Sequence, residues 1–293
     1  MSRPRTLAAL AALWLCWGSS FPAIRVMVTL LPPLLASGTV FLLAGCLLGL
    51  TRPSRLRGLS FGAAARTAGP GICLLGAQGA VAVAETHVFA STAAVITAAI
   101  PLWVAVLRIA TGDRPTAGGA VRLLAGFAGV SAVLLASSGA AGGWTPWTLT
   151  VLGASVAWAA GTLLTSRARN SPAPRAATVI QLAAGGIALL TVGCLTGELN
   201  GFALASVHVS AWGALAYLVL VDSLAGFALY NWLLRTAPVS VVSTYSYAVP
   251  VVAYLIGVAV LHETFRPIVL IGAALIVAAV AAEIRASPAP GGH

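Results

Sequence analysis

The chain has 293 residues, of which 59% are hydrophobic and only 8% charged. Soluble domains are about half apolar and about a quarter charged, so one water-facing globule cannot hide this much apolar surface; an all-α integral membrane protein is expected. The net charge is +10, and all sixteen basic residues are arginines dispersed between apolar runs. That pattern argues against a nucleic-acid partner and suits topology signals and headgroup contacts in a lipid bilayer.

Apolar runs bounded by polar or Gly/Pro-rich stretches place ten spans at 6–27, 31–50, 67–86, 89–110, 118–138, 148–168, 177–197, 209–233, 239–260 and 267–284. A spanning helix takes roughly 20 residues and a barrel strand about half that, so these runs are helices. The first span begins with Arg3 and Arg5 before an apolar core. This is the charge order of a signal peptide, but further spans follow and it reads as the first of them. Its Trp17 lies mid-helix, away from the interfacial belts where tryptophan collects. In the second span, "GCLLG" sets Gly45 and Gly49 four residues apart, which suits close helix crossing inside the bundle or, alternatively, dimerisation. Gln78, Ala82 and Glu85 share one face of the third span, with Glu85 near its outer end. Glu85 is either a solute contact or an interfacial charge paired with Arg25.

In the fourth span Pro101 cannot donate to the carbonyl of Thr97, and in the ninth Pro250 does the same to Ser246. Within lipid such a break is tolerated where a neighbour or a wet cavity satisfies the freed group; both prolines are candidate hinges. Trp158 occupies the middle of the sixth span. Asp222, in the eighth, is the one carboxylate near mid-membrane. It reads as a proton-coupling site or a cation contact, or else as a helix tie through Ser223. In the ninth span Ser243, Tyr247, Pro250 and Tyr254 fall on one helical face, with Tyr245 beside them. Cys16, Cys46, Cys73 and Cys194 all lie in apolar runs without metal-ligand spacing, so they read as small packing residues; no disulfide, metal or other cofactor is expected. The tail 286–293 has no apolar run and is expected to be a disordered cytoplasmic extension.

With the N-terminus placed in the cytoplasm, thirteen arginines fall inside and two, Arg25 and Arg266, outside, while Arg122 lies within a span. The positive-inside rule then puts both termini in the cytoplasm of a multi-pass cell-membrane protein. The two halves also repeat. "ASTAAVITAAIP" aligns with "VSVVSTYSYAVP", pairing Ser91 with Ser240 and Pro101 with Pro250; Asp113 falls opposite Glu263, and Trp17 opposite Trp158. Five spans per copy is an odd number, so the copies, 1–141 and 142–285, insert in opposite senses: two inverted five-helix repeats around a central cavity.

"WLCWGSSFPAIRV" with "LPPLLASGTVFLLAG", and "PVSVVSTYSYAVPVVAYLIGVAVLHETFRPIVLIGAALIVAAV", resemble the opening and close of EamA-type domains of the drug/metabolite transporter superfamily. The resemblance covers nearly the whole chain as two tandem domains. It implies ten helices, inverted repeats and permeation of small metabolites such as amino acids, often outward. The chain departs from the family pattern at Val40, where many members carry arginine, at Asp113, which stands for glutamate, and at His262, which stands for glycine.

The expected function is therefore a secondary transporter, an exporter working by alternating access, as monomer or homodimer and with protons as coupling ion. No phosphate-cradling loop for ATP is present. An intramembrane enzyme would need paired carboxylates or a metal cluster, which the six scattered acidic residues do not form; a non-transporting scaffold is the other alternative. Trp17, Gln78, Glu85, Trp158, Asp222, Tyr245, Tyr247 and Tyr254 are the expected solute contacts.

Overall fold

The computed structural model describes residues 3–51, 53, 60–88, 90–112, 117–121, 123–125, 127–128, 145–168, 172–200, 202–203, 207–260, 274, 278 and 282. These residues form helices and connecting turns, with no strand among them. In chain order the helices are α1 (Arg3–Gly18), α2 (Ser20–Val28), α3 (Pro33–Leu50), α4 (Phe61–Glu85), α5 (Ala90–Thr97), α6 (Ile100–Ala110), α7 (Pro146–Arg167), α8 (Pro174–Leu195) and α9 (Val209–Tyr217). A π-helical segment, Leu218–Gly226, then leads into α10 (Phe227–Thr236), α11 (Val239–Ser243) and α12 (Tyr245–Val260).

Six helical stretches among the described residues are long and apolar enough to cross a membrane: Pro4–Val28, Pro33–Leu50, Phe61–Glu85, Pro146–Arg167, Pro174–Leu195 and Val209–Thr236. The expected spans at 89–110 and 239–260 are helical but interrupted. The fifth, 118–138, is described only in part, and the tenth, 267–284, lies outside the described residues but for three positions. Also outside are Asp113, Arg122, His262, Glu263, Arg266 and the tail 286–293. The bundle has its polarity reversed relative to a soluble protein. Leu43, Leu47, Leu164, Ile187 and Leu220 are exposed, whereas Glu85, Gln181, Asp222 and Asn231 are buried. That inversion is what a hydrocarbon solvent selects.

Helix starts follow local chemistry. Thr145 and Thr148 form a reciprocal capping box with Pro146 in the first turn of α7, and the Ser60 hydroxyl accepts from the Ala63 amide at 3.2 Å to start α4. The interruptions have causes as well. Pro22 has no N–H for the carbonyl of Gly18, and the chain breaks at Ser19, whose hydroxyl turns back to the carbonyls of Leu15 (2.6 Å) and Cys16 (3.0 Å). Pro101 is the second residue of α6 rather than a mid-helix kink: the ring cannot follow a continuous turn, so the helix ends at Thr97 and restarts at Ile100. Pro250, by contrast, sits inside α12, and the break in that span falls earlier, at Thr244.

The most extensive helix pair is α3 on α8, followed by α4 on α7 and α4 on α8. Glycine makes the first pair close. A Cβ on Gly186 would sit 2.8 Å from the Leu42 amide nitrogen and 2.9 Å from the Gly38 carbonyl oxygen, and one on Gly38 would meet the Gly186 carbonyl oxygen at 2.9 Å. Gly45 also lies in this interface, against Leu182, so the second-span glycine serves packing within the bundle.

The ends of α3 are held from beyond α8. The Glu198 carboxylate, past the C-terminus of α8, accepts from the amides of Leu34 (3.1 Å) and Leu35 (2.9 Å). Arg175, in the first turn of α8, donates to the Leu48 carbonyl at 3.1 Å and to the Thr51 hydroxyl at the other end. The two helices therefore run antiparallel. An anion meets the positive end of the α3 dipole and a cation the negative end.

Gly186→Ala drives a methyl into backbone on α3 and should destabilise the fold by about 1–3 kcal/mol. Gly76→Ala, where a Cβ meets nothing within 4 Å, should leave the melting temperature in detergent unchanged or slightly raised. Glu198→Ala exposes two orphan amides and should cost about 1 kcal/mol, read by the same melt.

Candidate functional site

A cavity of about 600 Å³, counting its mouth, lies among α1, α2, α4, the α5–α6 break, α7, the π-helical segment and α12. Five of the expected solute contacts line it: Trp17, Gln78, Trp158, Asp222 and Tyr245. Thr97 and Ser246 line it too, and these are the residues whose carbonyls Pro101 and Pro250 deprive of a donor. Ser20, Ala154 and Ser155 complete a wall of small residues beside Phe21, Ile24, Ile100 and Val249. A smaller recess of about 240 Å³, lined by Ser37, Val40, Phe41, Ala82 and Leu218 among others, shares Ile24, Gln78 and Asp222 with the main cavity.

Trp17 is the hub of an aromatic cluster. Its ring packs edge-on against Tyr245 (centroids 4.7 Å, 74°), Trp158 (5.5 Å, 84°) and Phe227 (5.6 Å, 65°), and tilted against Tyr230 at 5.0 Å. Edge-to-face geometry sets the positive ring edge on the negative ring face. Tyr230, fully buried, shares a 2.5 Å hydrogen bond with Thr162. The Trp17 indole donates from Nε1 to the main-chain carbonyl of Asp222 at 3.2 Å. The π-helical turn supplies room for this contact: its wider winding displaces the regular carbonyl pairing. Gly226, in the same segment, leaves space that a Cβ would fill 2.4 Å from Trp17 Nε1.

The Asp222 side chain is 2% exposed. Ser223 donates to its Oδ2 at 3.2 Å, and Oδ1 has no hydrogen-bond partner. Trp158 Nε1, the Tyr245 hydroxyl and the Ser246 hydroxyl are likewise buried without a well-formed hydrogen bond, although Tyr245 lies close enough to interact with both of the others, as Ser20 does with Asp222. Four poorly satisfied polar groups around one cavity is a concentration that buried surfaces elsewhere avoid.

Of the remaining expected contacts, Glu85 and Tyr247 lie elsewhere. Glu85 is fully buried but does not line the cavity, and its carboxylate oxygens have no partner. Arg25 approaches it, yet the guanidinium donates to the Glu85 main-chain carbonyl and not to the carboxylate. Tyr247 donates to the Leu123 carbonyl at 3.2 Å and is not part of the lining. The side chain of Tyr254 lies outside what is described. On the ninth span the cavity face is thus Tyr245, Ser246 and Val249, adjacent to the expected face of Ser243, Tyr247 and Pro250. Two aromatic members, Phe227 and Tyr230, are absent from the sequence-level candidates, although Ser223, Phe227 and Tyr230 follow the helical spacing that would have marked them.

Trp17→Phe keeps the ring contacts but leaves the buried Asp222 carbonyl without its donor. Thermal unfolding in detergent should show a loss of about 1–3 kcal/mol.

Comparison with known proteins adds three findings. The sequence profile described as "EamA-like transporter family" matches residues 145–282. The "Uncharacterized inner membrane transporter YedA" of Escherichia coli (strain K12) is 33% identical over 277 residues, covering 93% of this chain and 88% of that protein, and its counterpart in Escherichia coli O157:H7 matches equally. One solved crystal structure, 22% identical, superposes with a TM-score of 0.75 over 96% of this chain and 97% of its own, which establishes the common fold.

Proposed function

Because the chain belongs to the EamA-like transporter family, and is thus a multi-pass membrane transporter, we propose that it is a secondary transporter that exports small metabolites such as amino acids by alternating access through the cavity at Trp17, Trp158 and Asp222. The observation that carries this reading is the cavity itself: a space with an open mouth, lined by poorly satisfied polar groups and walled by helices from both halves of the chain.

The architecture behind it is ten spans in two inverted repeats, 1–141 and 142–285, with both termini cytoplasmic. Three features support the inversion. The antiparallel pair α3 and α8 consists of the second and seventh spans, which correspond in the two copies. Helix contacts map onto one another when the copies are exchanged: the third span packs on the sixth as the eighth packs on the first, and the fourth on the sixth as the ninth on the first. Trp17 touches Trp158, its counterpart in the other copy, which a two-fold relation allows only close to the axis. Pro101 and Pro250 act as hinges, since each removes a backbone bond beside the cavity.

Protons serve as the coupling ion in this reading, with Asp222 as the carrier, because it is the carboxylate that lines the cavity. The scaffold alternative gains no specific support, because a scaffold has no use for a cavity lined by buried polar groups.

Growth of deletion and overexpressing cells across a panel of toxic amino acids and metabolites identifies the solute. Flux of that solute into proteoliposomes under an imposed pH gradient should then fall to background in Asp222→Asn. Undiminished gradient-driven flux in that variant removes Asp222 from the mechanism.

A further inference from the structure

The lining of the cavity is satisfied unevenly, and the pattern specifies what would complete it. Resting on the reading of this cavity as the solute site, and narrowing its amino-acid example to derivatives whose carboxylate is masked, we propose that the substrate is a small organic monocation: an ammonium group that docks on Asp222, on a molecule that also carries an uncharged hydrogen-bond acceptor.

The acceptor side of the protein is Asp222. Ser223 engages Oδ2 and the Ser20 hydroxyl lies beside the carboxylate, while Oδ1 is buried without a well-formed hydrogen bond. A buried carboxylate oxygen left unpaired is costly, and a charged N–H is its strongest complement. Among the described residues the lining supplies none. No arginine or histidine is among the residues lining the main cavity or the adjoining recess. Arg25, on α2, is committed to the main-chain carbonyl of Glu85, and the recess beside Asp222 presents Val40. The rings of Trp17, Trp158 and Tyr245 surround the same space, and aromatic faces attract a cation further.

The donor side is Trp158 Nε1, which can only donate, grouped with the hydroxyls of Tyr245 and Ser246, which interact with one another and can turn a donor toward the cavity. This group suits an acceptor on the ligand. That acceptor is uncharged because of the charge balance of the site. An ammonium neutralises Asp222, whereas a ligand that brings its own carboxylate restores a net negative charge within a low-dielectric space with neutral donors alone to hold it. The order of preference is therefore monocation, then zwitterion, then anion.

The test uses the purified full-length protein in detergent and four molecules on one carbon skeleton: leucinamide (cation with an amide acceptor), leucine (zwitterion), N-acetylleucinamide (neutral) and N-acetylleucine (anion). Binding is read by ligand-induced melting shift and by quenching of tryptophan emission. Leucinamide should bind at least about tenfold more tightly than leucine, with N-acetylleucine weakest, and Asp222→Asn should remove the advantage of leucinamide over N-acetylleucinamide. The melt of ligand-free Asp222→Asn checks that the variant is folded, and the wild-type series stands without it.

Equal or tighter binding of leucine or N-acetylleucinamide, no response to leucinamide, or an unchanged leucinamide preference in folded Asp222→Asn each overturns the proposal. Flux measurements separate it from the transporter reading. Leucinamide that binds but does not cross proteoliposomes counts against transport and leaves the cation assignment intact, whereas saturable flux that favours leucine or N-acetylleucine sinks the cation assignment alone.

Discussion

The fold depends on the antiparallel crossing of α3 and α8. Two backbones approach there at distances that admit no side chain at Gly38 or Gly186, so van der Waals contact and not side-chain interdigitation sets their spacing. Glu198 and Arg175 then fix the pair lengthwise, one at each end of α3. In a medium where apolar burial between helices gives little drive, such short-range and dipole-matched contacts are what remains to specify geometry. The α4–α7 and α4–α8 packings extend that frame sideways, and the cavity is the space these helices enclose with α1, the π-helical segment and α12.

Backbone irregularity is distributed in keeping with this division. The scaffold pair α3 and α8 is unbroken. The breaks fall at Ser19, at Ala98–Ala99 and at Thr244, and the π-helical winding spans Leu218–Gly226; all of these belong to spans that contribute to the cavity wall. Lipid offers no hydrogen bonds to a disrupted helix, so irregular backbone survives only where protein or a polar space receives it. The Asp222 carbonyl shows one solution, a buried indole donor from another span. Thr97 and Ser246, both on the lining, show where the proline-freed groups are directed toward the same space.

Much of this was legible in the sequence. Hydropathy alone placed the helices, because a spanning segment must be apolar for its whole length, and mid-span position singled out Trp17, Trp158 and Asp222 as residues that lipid would not tolerate idly. The ninth span was legible only to its neighbourhood. Helical spacing grouped Tyr247 with Tyr254, but spacing does not say which face of a helix meets the cavity, and Tyr245, Ser246 and Val249 are the described residues of this span that line it. The π-helical segment has the composition of an ordinary apolar helix and carries no local signal. The grip of Glu198 on α3 joins residues 164 positions apart, a relation that periodicity cannot express. Glu85 and Arg25, which sequence pairs as charges, do lie together, but the hydrogen bond between them runs to the Glu85 main-chain carbonyl, a detail that sequence does not carry.

In the inverted-repeat reading the frame and the chemistry obey different rules. Matched positions meet in the frame, Trp17 with Trp158, and the matched pair Thr97 and Ser246 lines the cavity from both copies. The polar inventory does not follow suit. Tyr245 aligns with Ile96, and the lining carboxylate, Asp222, comes from the second copy, while the first contributes Gln78. A two-fold frame gives two exchangeable arrangements of nearly equal packing energy, which is what alternating access needs. Asymmetric polar groups on that frame let one ligand orientation be preferred in both arrangements. In that reading symmetry serves the motion, and its local violation at Asp222 and Tyr245 serves recognition.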